Sequence, residues 1–177
     1  MIQVSNLSKS YNAKPLFEDV TFSVGKGEII GLVGRNGSGK STLMKILAGL
    51  ENYDEGVFKT PKGYKIGYLD QHIHFTQNTL LEECCQALSA EEQYDHYKAE
   101  KILSGLGFTE DDLLRPPSEF SGGFQLRINL TKTLLQDPGL LLLDEPTNYL
   151  DILSLRWLRR FLKSFRGEAI LITHDRE

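Results

Sequence analysis

The hydrophobic positions of the chain alternate between short strand-like runs and helical periods. The segments IQVSNL and VTFSV show the period-two alternation of strands, and residues 27–34 form a β-branched run that ends in glycine. Apolar side chains then recur at helical spacing at Leu43, Ile46, Leu47 and Leu50. This order predicts a strand, a glycine-rich turn and a helix.

The middle of the chain carries helix signals, and its last part returns to strands. Asn78 or Thr79 is placed to cap one helix, and Ser89 with Glu92 fits a capping box that would start a second. Ser121 stands where the N-cap of a third helix belongs. The runs LLLLD and AILITHD predict buried strands on either side of an amphipathic helix. Apolar strands that alternate with helices predict a largely parallel sheet with right-handed crossovers.

Composition and charge exclude several classes of protein. With 20 Lys+Arg against 24 Asp+Glu the net charge is −4, so the chain is no polycation that coats nucleic acid or anionic membrane. The longest aliphatic run is 140–143 and the first residues carry no apolar stretch, so we expect neither a signal peptide nor a membrane span. The adjacent Cys84 and Cys85 suit a disulfide poorly, which indicates reduced thiols and a cytoplasmic protein.

Charge is also distributed unevenly along the chain. Residues 80–112 hold nine acidic and two basic side chains, and the segment is rich in helix formers. Such a segment between glycine-punctuated apolar runs predicts a helical lobe inserted into a more strand-rich body.

A complete phosphate-binding loop lies between a predicted strand and a predicted helix. Gly34, Gly39, Lys40 and Ser41 match every fixed position of G-x-x-x-x-G-K followed by Ser or Thr. The glycines let backbone N–H groups converge on phosphate oxygens, and the helix N-terminus adds partial positive charge. Lys40 would reach the β- and γ-phosphates, Ser41 would offer a hydroxyl to Mg²⁺, and Thr42 would support the same phosphates. The loop therefore predicts a nucleotide site.

Polar residues follow the ends of the predicted apolar strands. Asp144 and Glu145 come directly after 140–143, at the carboxyl end where open α/β sheets bind ligands. An aspartate there can hold Mg²⁺, and the adjacent glutamate can polarise an attacking water. Gln71 and His174 end two other strands and could position that water and contact the γ-phosphate. By themselves these two residues are better explained as polar surface groups.

The order of these motifs resembles that of the ATP-binding cassette (ABC) ATPases. A second anion-binding motif, SGGFQ at 121–125, stands between Gln71 and the acidic pair, and GRNGSGKST, GYLDQ, SGGFQ, LLLLDEPTNYLD and ITHD follow in the family's order. The resemblance implies an α/β fold with a phosphate-loop NTPase core, a mainly parallel sheet, an antiparallel β subdomain and an inserted α-helical subdomain. It divides the chain into a β-rich part with the phosphate loop at 1–70, a helical subdomain with the signature motif at 72–136, and a last part at 137–177.

The resemblance also implies roles for single residues in hydrolysis. Glu145 resembles the general base, and His174 resembles the switch histidine that senses the γ-phosphate. Gln71 resembles the glutamine that links metal, water and helical lobe. Ser41, Gln71 and Asp144 are the implied partners of Mg²⁺.

The nucleotide itself is implied to be held from two sides. Tyr11 resembles the aromatic residue that stacks on adenine, and Asp151 resembles an aspartate that contacts a second cassette. In a head-to-tail sandwich the SGG of each cassette would cap the γ-phosphate held by its partner. The residues implied to bind ATP are Tyr11, Gly34, Asn36, Gly37, Gly39, Lys40, Ser41, Thr42, Ser121, Gly122, Gly123 and Gln125.

Within the family, two details resemble the ABC-F branch of twin-cassette, translation-associated ATPases more than transporter subunits. Phe124 stands between the SGG and Gln125, and Pro-Thr-Asn-Tyr-Leu-Asp follows the glutamate. The resemblance implies Mg²⁺-dependent ATP hydrolysis at an interface with a second cassette, and the ribosome as partner of the full-length protein. A transporter subunit and an ATP-gated clamp, which hydrolyses ATP only to reset, are the alternatives. Because the chain stops three residues after His174, we expect a truncated first cassette with weak turnover alone.

A run of cations follows the acidic motif. Their spacing around three leucines indicates an outer amphipathic helix whose cations reach solvent, more simply than a nucleic-acid contact. The acidic segment 80–112 also makes direct RNA contact by this part of the protein doubtful. The cations are Arg156, Arg159, Arg160, Lys163 and Arg166, and the leucines are Leu155, Leu158 and Leu162.

Overall fold

The structure is a computed structural model that describes residues 1–69, 74–92 and 95–173. Contacts divide these residues into two compact units. The sheet unit comprises 1–68, 139–146 and 166–173, and the helical unit comprises the described residues of 69–138 and 147–165.

The sheet unit contains two sheets and one α-helix among the described residues. The strands β2-β1-β4 form an antiparallel sheet, and β3-β7-β6-β5 form a sheet in which every described pair is parallel. The predicted fold, with a mainly parallel sheet and a separate antiparallel part, is confirmed. The elements are β1 (Ile2–Tyr11), β2 (Lys14–Val24), β3 (Ile29–Leu32), α1 (Lys40–Leu47), β4 (Glu55–Lys59), β5 (Ile66–Tyr68), β6 (Leu140–Asp144) and β7 (Glu168–Ile172).

One apolar core joins both sheets to α1. Ile2 and Val4 of β1 pack in the same buried cluster as Met44 of α1 and Leu142 of β6. All of β6 is buried, as expected for an all-apolar strand of a parallel sheet that is covered on both faces. Because α1 packs one face into this core, its start is held at the edge of the parallel sheet.

Leu50 lies beyond the end of α1, although its spacing from Leu43, Ile46 and Leu47 is helical. The helix ends at Leu47, and Gly49 adopts a left-handed φ of 74° that turns the chain away. Leu50 is 61% exposed. The helical spacing of Leu50 in the sequence therefore does not mean that it belongs to α1, which ends three residues earlier.

The helical unit contains four α-helices among the described residues. Thr79 caps the first, since its hydroxyl accepts a hydrogen bond from the Glu82 N–H at 3.3 Å, and Cys84 and Cys85 lie in that helix as free thiols. Short 3₁₀ turns occupy Asp111–Leu114 and Pro117–Glu119, and a third, Pro146–Tyr149, follows β6. The α-helices are α2 (Leu80–Cys85), α3 (His96–Gly105), α4 (Gly122–Leu135) and α5 (Ile152–Ser164).

The prediction of a helix that starts at Ser89 is wrong, because α3 begins at His96. A capping box needs the glutamate to reach back to the N-cap backbone. In the structure the Ser89 hydroxyl donates to the Glu92 carboxylate at 3.3 Å, and the Lys98 ammonium pairs with the same carboxylate at 3.0 Å. The two residues close a turn, with the Glu92 N–H on the Ser89 carbonyl at 3.0 Å.

The prediction that α5 is an amphipathic outer helix is confirmed. Leu158 and Leu162 are buried, whereas Arg156, Arg159, Arg160 and Lys163 are exposed. In the described part of the chain no helix is both long enough and apolar enough to span a membrane.

Candidate functional site

The carboxyl edge of the parallel sheet carries the predicted phosphate loop and the acidic pair. Residues 33–39 connect β3 to α1, and Glu145 follows β6 directly. Parallel strands end at the same edge, so these segments meet there around a cavity of about 320 Å³. The cavity is lined by Tyr11, Leu16, Asn36, Gly37, Gly39, Lys40, Ser41, Thr42 and Glu145.

The backbone of the loop adopts the conformation that its glycines allow. Gly37 and Gly39 have φ values of 78° and 90°, in the left-handed region. A Cβ at Gly39 would lie 2.8 Å from the Phe17 ring and 2.9 Å from Leu16, so only glycine fits beside β2. No side chain caps α1, and its first N–H groups are left for an anion.

Lys40 is buried at the base of the loop. Its ammonium donates to the carbonyl oxygens of Gly34 at 2.9 Å and Arg35 at 3.0 Å. These contacts place a positive charge among the loop residues, beside the exposed Ser41 and the half-buried Thr42. An ammonium, a hydroxyl pair and a helix N-terminus in one cavity form an anion site.

The acidic pair lies at the end of β6. Asp144 is 6% exposed, and Glu145 lines the cavity. Glu145 has a left-handed φ of 48°, which costs a non-glycine residue about 1 kcal/mol. Its N–H donates to the Ile172 carbonyl of β7 at 3.1 Å and so holds the strained turn in place.

The oxygen donors of this edge fit Mg²⁺. A carboxylate (Asp144) and a hydroxyl (Ser41) are hard ligands of the kind that Mg²⁺ takes up in small number, completing its shell with water and phosphate oxygens. Two other predicted members of the site, Gln71 and His174, lie outside the described residues. The strands before them, β5 and β7, end at the same edge as β6.

The signature motif, SGGFQ at 121–125, forms the start of α4 in the helical unit. Ser121 occupies the N-cap position, and its hydroxyl makes no capping hydrogen bond. A Cβ at Gly122 or Gly123 would meet no atom within 4 Å, so this helix start is open. The Gln125 side chain stabilises the preceding turn, because its amide donates to the carbonyls of Phe120 at 2.9 Å and Ser118 at 3.3 Å.

A buried arginine behind the signature motif has no counterpart in the sequence-based predictions. Arg127 of α4 lies over the Phe124 ring, 4.5 Å from its centroid, and donates to the Leu106 carbonyl at 3.0 Å. The same nitrogen contacts the Asp151 carboxylate at 3.1 Å and the Ser154 hydroxyl at 3.3 Å. An arginine within a leucine period is the only signal for this contact in the sequence.

Asp151, which the resemblance associates with a second cassette, is engaged within its own chain. Its carboxylate caps α5 by accepting the Ser154 N–H at 2.8 Å. That hydrogen bond, with the nearby Arg127 guanidinium, holds the pKa of Asp151 below its ordinary value. The side chain is 54% exposed, so part of the carboxylate also faces solvent.

A buried ion pair anchors the segment at 76–77. The carboxylate of Glu83 in α2 is fully buried, contacts the Lys132 ammonium of α4, and accepts the N–H groups of Thr76 at 2.8 Å and Gln77 at 2.9 Å. Burial alone would raise the pKa of Glu83, but Lys132 and the two N–H groups outweigh it and leave that pKa below its ordinary 4.5. The pair joins α2, α4 and the segment at 76–77.

Acid should therefore destabilise the helical unit. A carboxylate with a lowered folded pKa contributes stability that is complete above its ordinary pKa of 4.5 and is lost as the pH falls through the folded value. Thermal unfolding followed by circular dichroism from pH 7 to pH 3 should show a steeper loss for the wild type than for Glu83→Gln. Glu82→Gln, an exposed neighbour, is the control and should follow the wild type. Identical pH profiles for all three proteins would contradict the prediction.

A larger cavity, of about 790 Å³, lies in the helical unit. Its lining includes Leu81, Tyr97, Phe108 and Leu114, and it has no glycine-rich loop at a helix start. The smaller cavity at the sheet edge therefore remains the candidate site, because phosphate-binding chemistry is concentrated there.

The comparisons with known sequences all point to one family. The sequence model of the family described as ABC transporter matches residues 17–148. The chain is 35% identical to an uncharacterized ABC transporter ATP-binding protein, YfmM of Bacillus subtilis, over 99% of the chain and 42% of that protein. It is 34% identical to the probable ATP-binding protein YheS of Escherichia coli K12 (100% and 32%), and 33% identical to ABC transporter F family member 5 of Arabidopsis thaliana (99% and 32%). The chain thus spans about a third to two fifths of the length of these relatives.

Solved structures share the fold. The ATP-binding subunit of an ABC transporter superposes with a TM-score of 0.84 at 29% identity, covering 98% of this chain and 79% of that one. A dimeric bacterial ABC transporter cassette superposes with a TM-score of 0.80 at 24% identity, covering 99% and 88%, which is a likeness of fold alone.

Proposed function

The chain belongs to the ABC transporter family of ATP-binding cassettes, and on that basis we propose that it binds Mg²⁺-ATP in the sheet-edge cavity and hydrolyses it beside a second cassette. The observation that carries this proposal is the convergence of the phosphate loop, Tyr11 and Glu145 on one cavity. Eight of the residues implied by the motifs line it.

The proposal assigns a task to each predicted site residue. Lys40 and the loop N–H groups bind the β- and γ-phosphates, Thr42 supports them, and Tyr11 stacks on the base. Ser41 and Asp144 hold Mg²⁺, which when bound neutralises the charge that develops on the phosphates. Glu145 accepts the proton of the attacking water. Gln71 and His174 keep their predicted roles at the water and the γ-phosphate.

The open start of α4 supports a composite site. The phosphate loop of a cassette already supplies one anion site for its own nucleotide, so Ser121, Gly122 and Gly123 would serve the nucleotide of a partner. Closure around ATP would exclude water and strengthen the electrostatic stabilisation of the transferring phosphate. The isolated chain should therefore bind ATP but turn it over slowly.

Concentration dependence tests this composite site. Phosphate release per chain should rise steeply when the protein is concentrated, because two cassettes must meet to complete each site. Lys40→Met is the control, since it removes the ammonium from the loop and should release little phosphate at any concentration. Turnover per chain that is the same in dilute and concentrated wild-type protein would contradict the composite site.

For the full-length protein we propose the ABC-F role, in which two cassettes act on the ribosome. Phe124 before Gln125 and the sequence that follows Glu145 support it, as does the similarity to an Arabidopsis F family member. The similarity to the ATP-binding subunit of a transporter favours the alternative, a transporter subunit. Lysate fractionation with ATP separates the two: the full-length protein should sediment with ribosomes, and recovery with membranes would favour a transporter.

A further inference from the structure

A cation contacts the aromatic residue of the cavity. Tyr11, at the end of β1, lines the phosphate-loop cavity and is 46% exposed. The Lys9 ammonium lies 4.9 Å from the centroid of the Tyr11 ring, within the range of a cation–π contact. Lys9 lines a different hollow, which includes Ser8, Ser10 and Asp54, and is absent from the lining of the phosphate-loop cavity. The Tyr11 ring therefore both contacts Lys9 and lines the cavity, whereas Lys9 itself does not line it.

Lys9 is itself held firmly. It is 8% exposed, its ammonium donates to the Asn52 carbonyl at 2.7 Å, and it pairs with the Glu51 carboxylate at 3.0 Å. The hydrogen bond to Glu51 raises the pKa of Lys9 above its ordinary 10.5, despite the opposing effect of burial. The ammonium is thus charged at any physiological pH, and its position is fixed from two sides.

The segment that holds Lys9 continues directly from the phosphate-binding helix. Residues 51–54 follow the turn that ends α1, in which the Gly49 N–H donates to the Ile46 carbonyl at 3.0 Å. Asp54 accepts hydrogen bonds from the Ser10 N–H at 2.7 Å and the Ser10 hydroxyl at 2.5 Å. The end of β1 is therefore tied to the helix whose other end forms the phosphate loop.

We propose that Lys9 is a positioning residue for the nucleotide base. It holds the Tyr11 ring in place for stacking and, through 51–54, fixes the spacing between that ring and the phosphate loop. A ring that is already held loses less side-chain freedom when a base stacks on it. This inference rests on the proposed function, because the ring needs a bound nucleotide to act on.

Two ligands separate a positioning role from a general structural one. Titration calorimetry of Lys9→Met should show about five-fold weaker binding of Mg²⁺-ATP, the size of a modest cation–π contact. Binding of inorganic tripolyphosphate with Mg²⁺ should be unchanged, since this ligand has no base. Lys59→Met, which removes an exposed lysine from β4, is the matched control and should leave both affinities unchanged.

A double-mutant cycle tests whether Lys9 acts through Tyr11. Tyr11→Leu should weaken ATP binding, and adding Lys9→Met to it should cause no further loss, because the ring on which Lys9 acts is gone. Glu51→Gln keeps the shape of its side chain and should give a smaller loss of ATP affinity in the same direction. If Lys9→Met does not fold, the ATP affinity of Glu51→Gln provides the test instead.

Three results would overturn the inference alone: unchanged ATP affinity in Lys9→Met, an equal loss for ATP and tripolyphosphate, or full additivity with Tyr11→Leu. A wild-type chain that binds neither ligand would overturn the proposed function and the inference with it. If the wild-type chain binds ATP no more tightly than tripolyphosphate, the role of the phosphate loop stands, but the proposed role of Tyr11 and Lys9 is overturned.

Discussion

Glu145→Gln should lower ATP turnover by about 100-fold or more while ATP binding and ATP-dependent association persist. Glutamine has the size of glutamate, so it can occupy the same left-handed turn after β6 and line the same cavity. It has no carboxylate to accept the proton of the attacking water. Phosphate release should therefore fall, and sedimentation velocity with ATP should show a dimer that outlasts the wild-type dimer.

The matched control for this variant is Glu18→Gln, which removes an exposed carboxylate from β2. It should hydrolyse ATP at the wild-type rate. A Glu145→Gln protein with wild-type turnover would show that another residue accepts the proton, and a variant that binds no ATP would show that Glu145 holds the nucleotide.

The same variant distinguishes a motor from a clamp in the full-length protein. A clamp acts through its ATP-closed state, so Glu145→Gln should remain bound to its target whenever ATP is present. A motor needs repeated turnover, so its output should disappear together with hydrolysis. Recovery of the target with and without ATP separates the two outcomes.

Features encoded by neighbouring residues could be predicted from the sequence. The Thr79 cap, the phosphate loop between β3 and α1, and the buried strand β6 each depend on residue types a few positions apart. The position of Tyr11 at the phosphate-loop cavity followed only from the family resemblance, because β1 and α1 meet through tertiary packing.

Contacts between distant residues had no local signal. Glu83 and Lys132 are 49 positions apart, and Arg127 reaches Leu106 across 21 positions. Nothing in the sequence around either residue specifies its partner, since both pairs depend on how the helices pack. Ser89 shows the opposite error: its local signal for a helix was present, but a carboxylate–hydroxyl contact and Lys98 closed a turn instead.

Removing the buried arginine of α4 should strongly destabilise the helical unit. Arg127 is 7% exposed, and Arg127→Met would leave the Leu106 carbonyl without this donor and Phe124 without its cation. We expect a loss of about 3 kcal/mol of unfolding free energy, since charged hydrogen bonds and a buried cation–π contact are lost together. Urea unfolding followed by circular dichroism measures it.

Arg115→Met is the control for this prediction, because it removes the same charged group from an exposed position. Arg115 also lies over a phenylalanine, 4.6 Å from the Phe120 centroid, and pairs with Asp112 at 2.8 Å. Its side chain is 47% exposed, so water replaces most of what the substitution removes. We expect a loss below about 1 kcal/mol. If both variants lose the same stability, the contacts of Arg127 with α5 and the Leu106 carbonyl contribute nothing beyond those of a surface arginine.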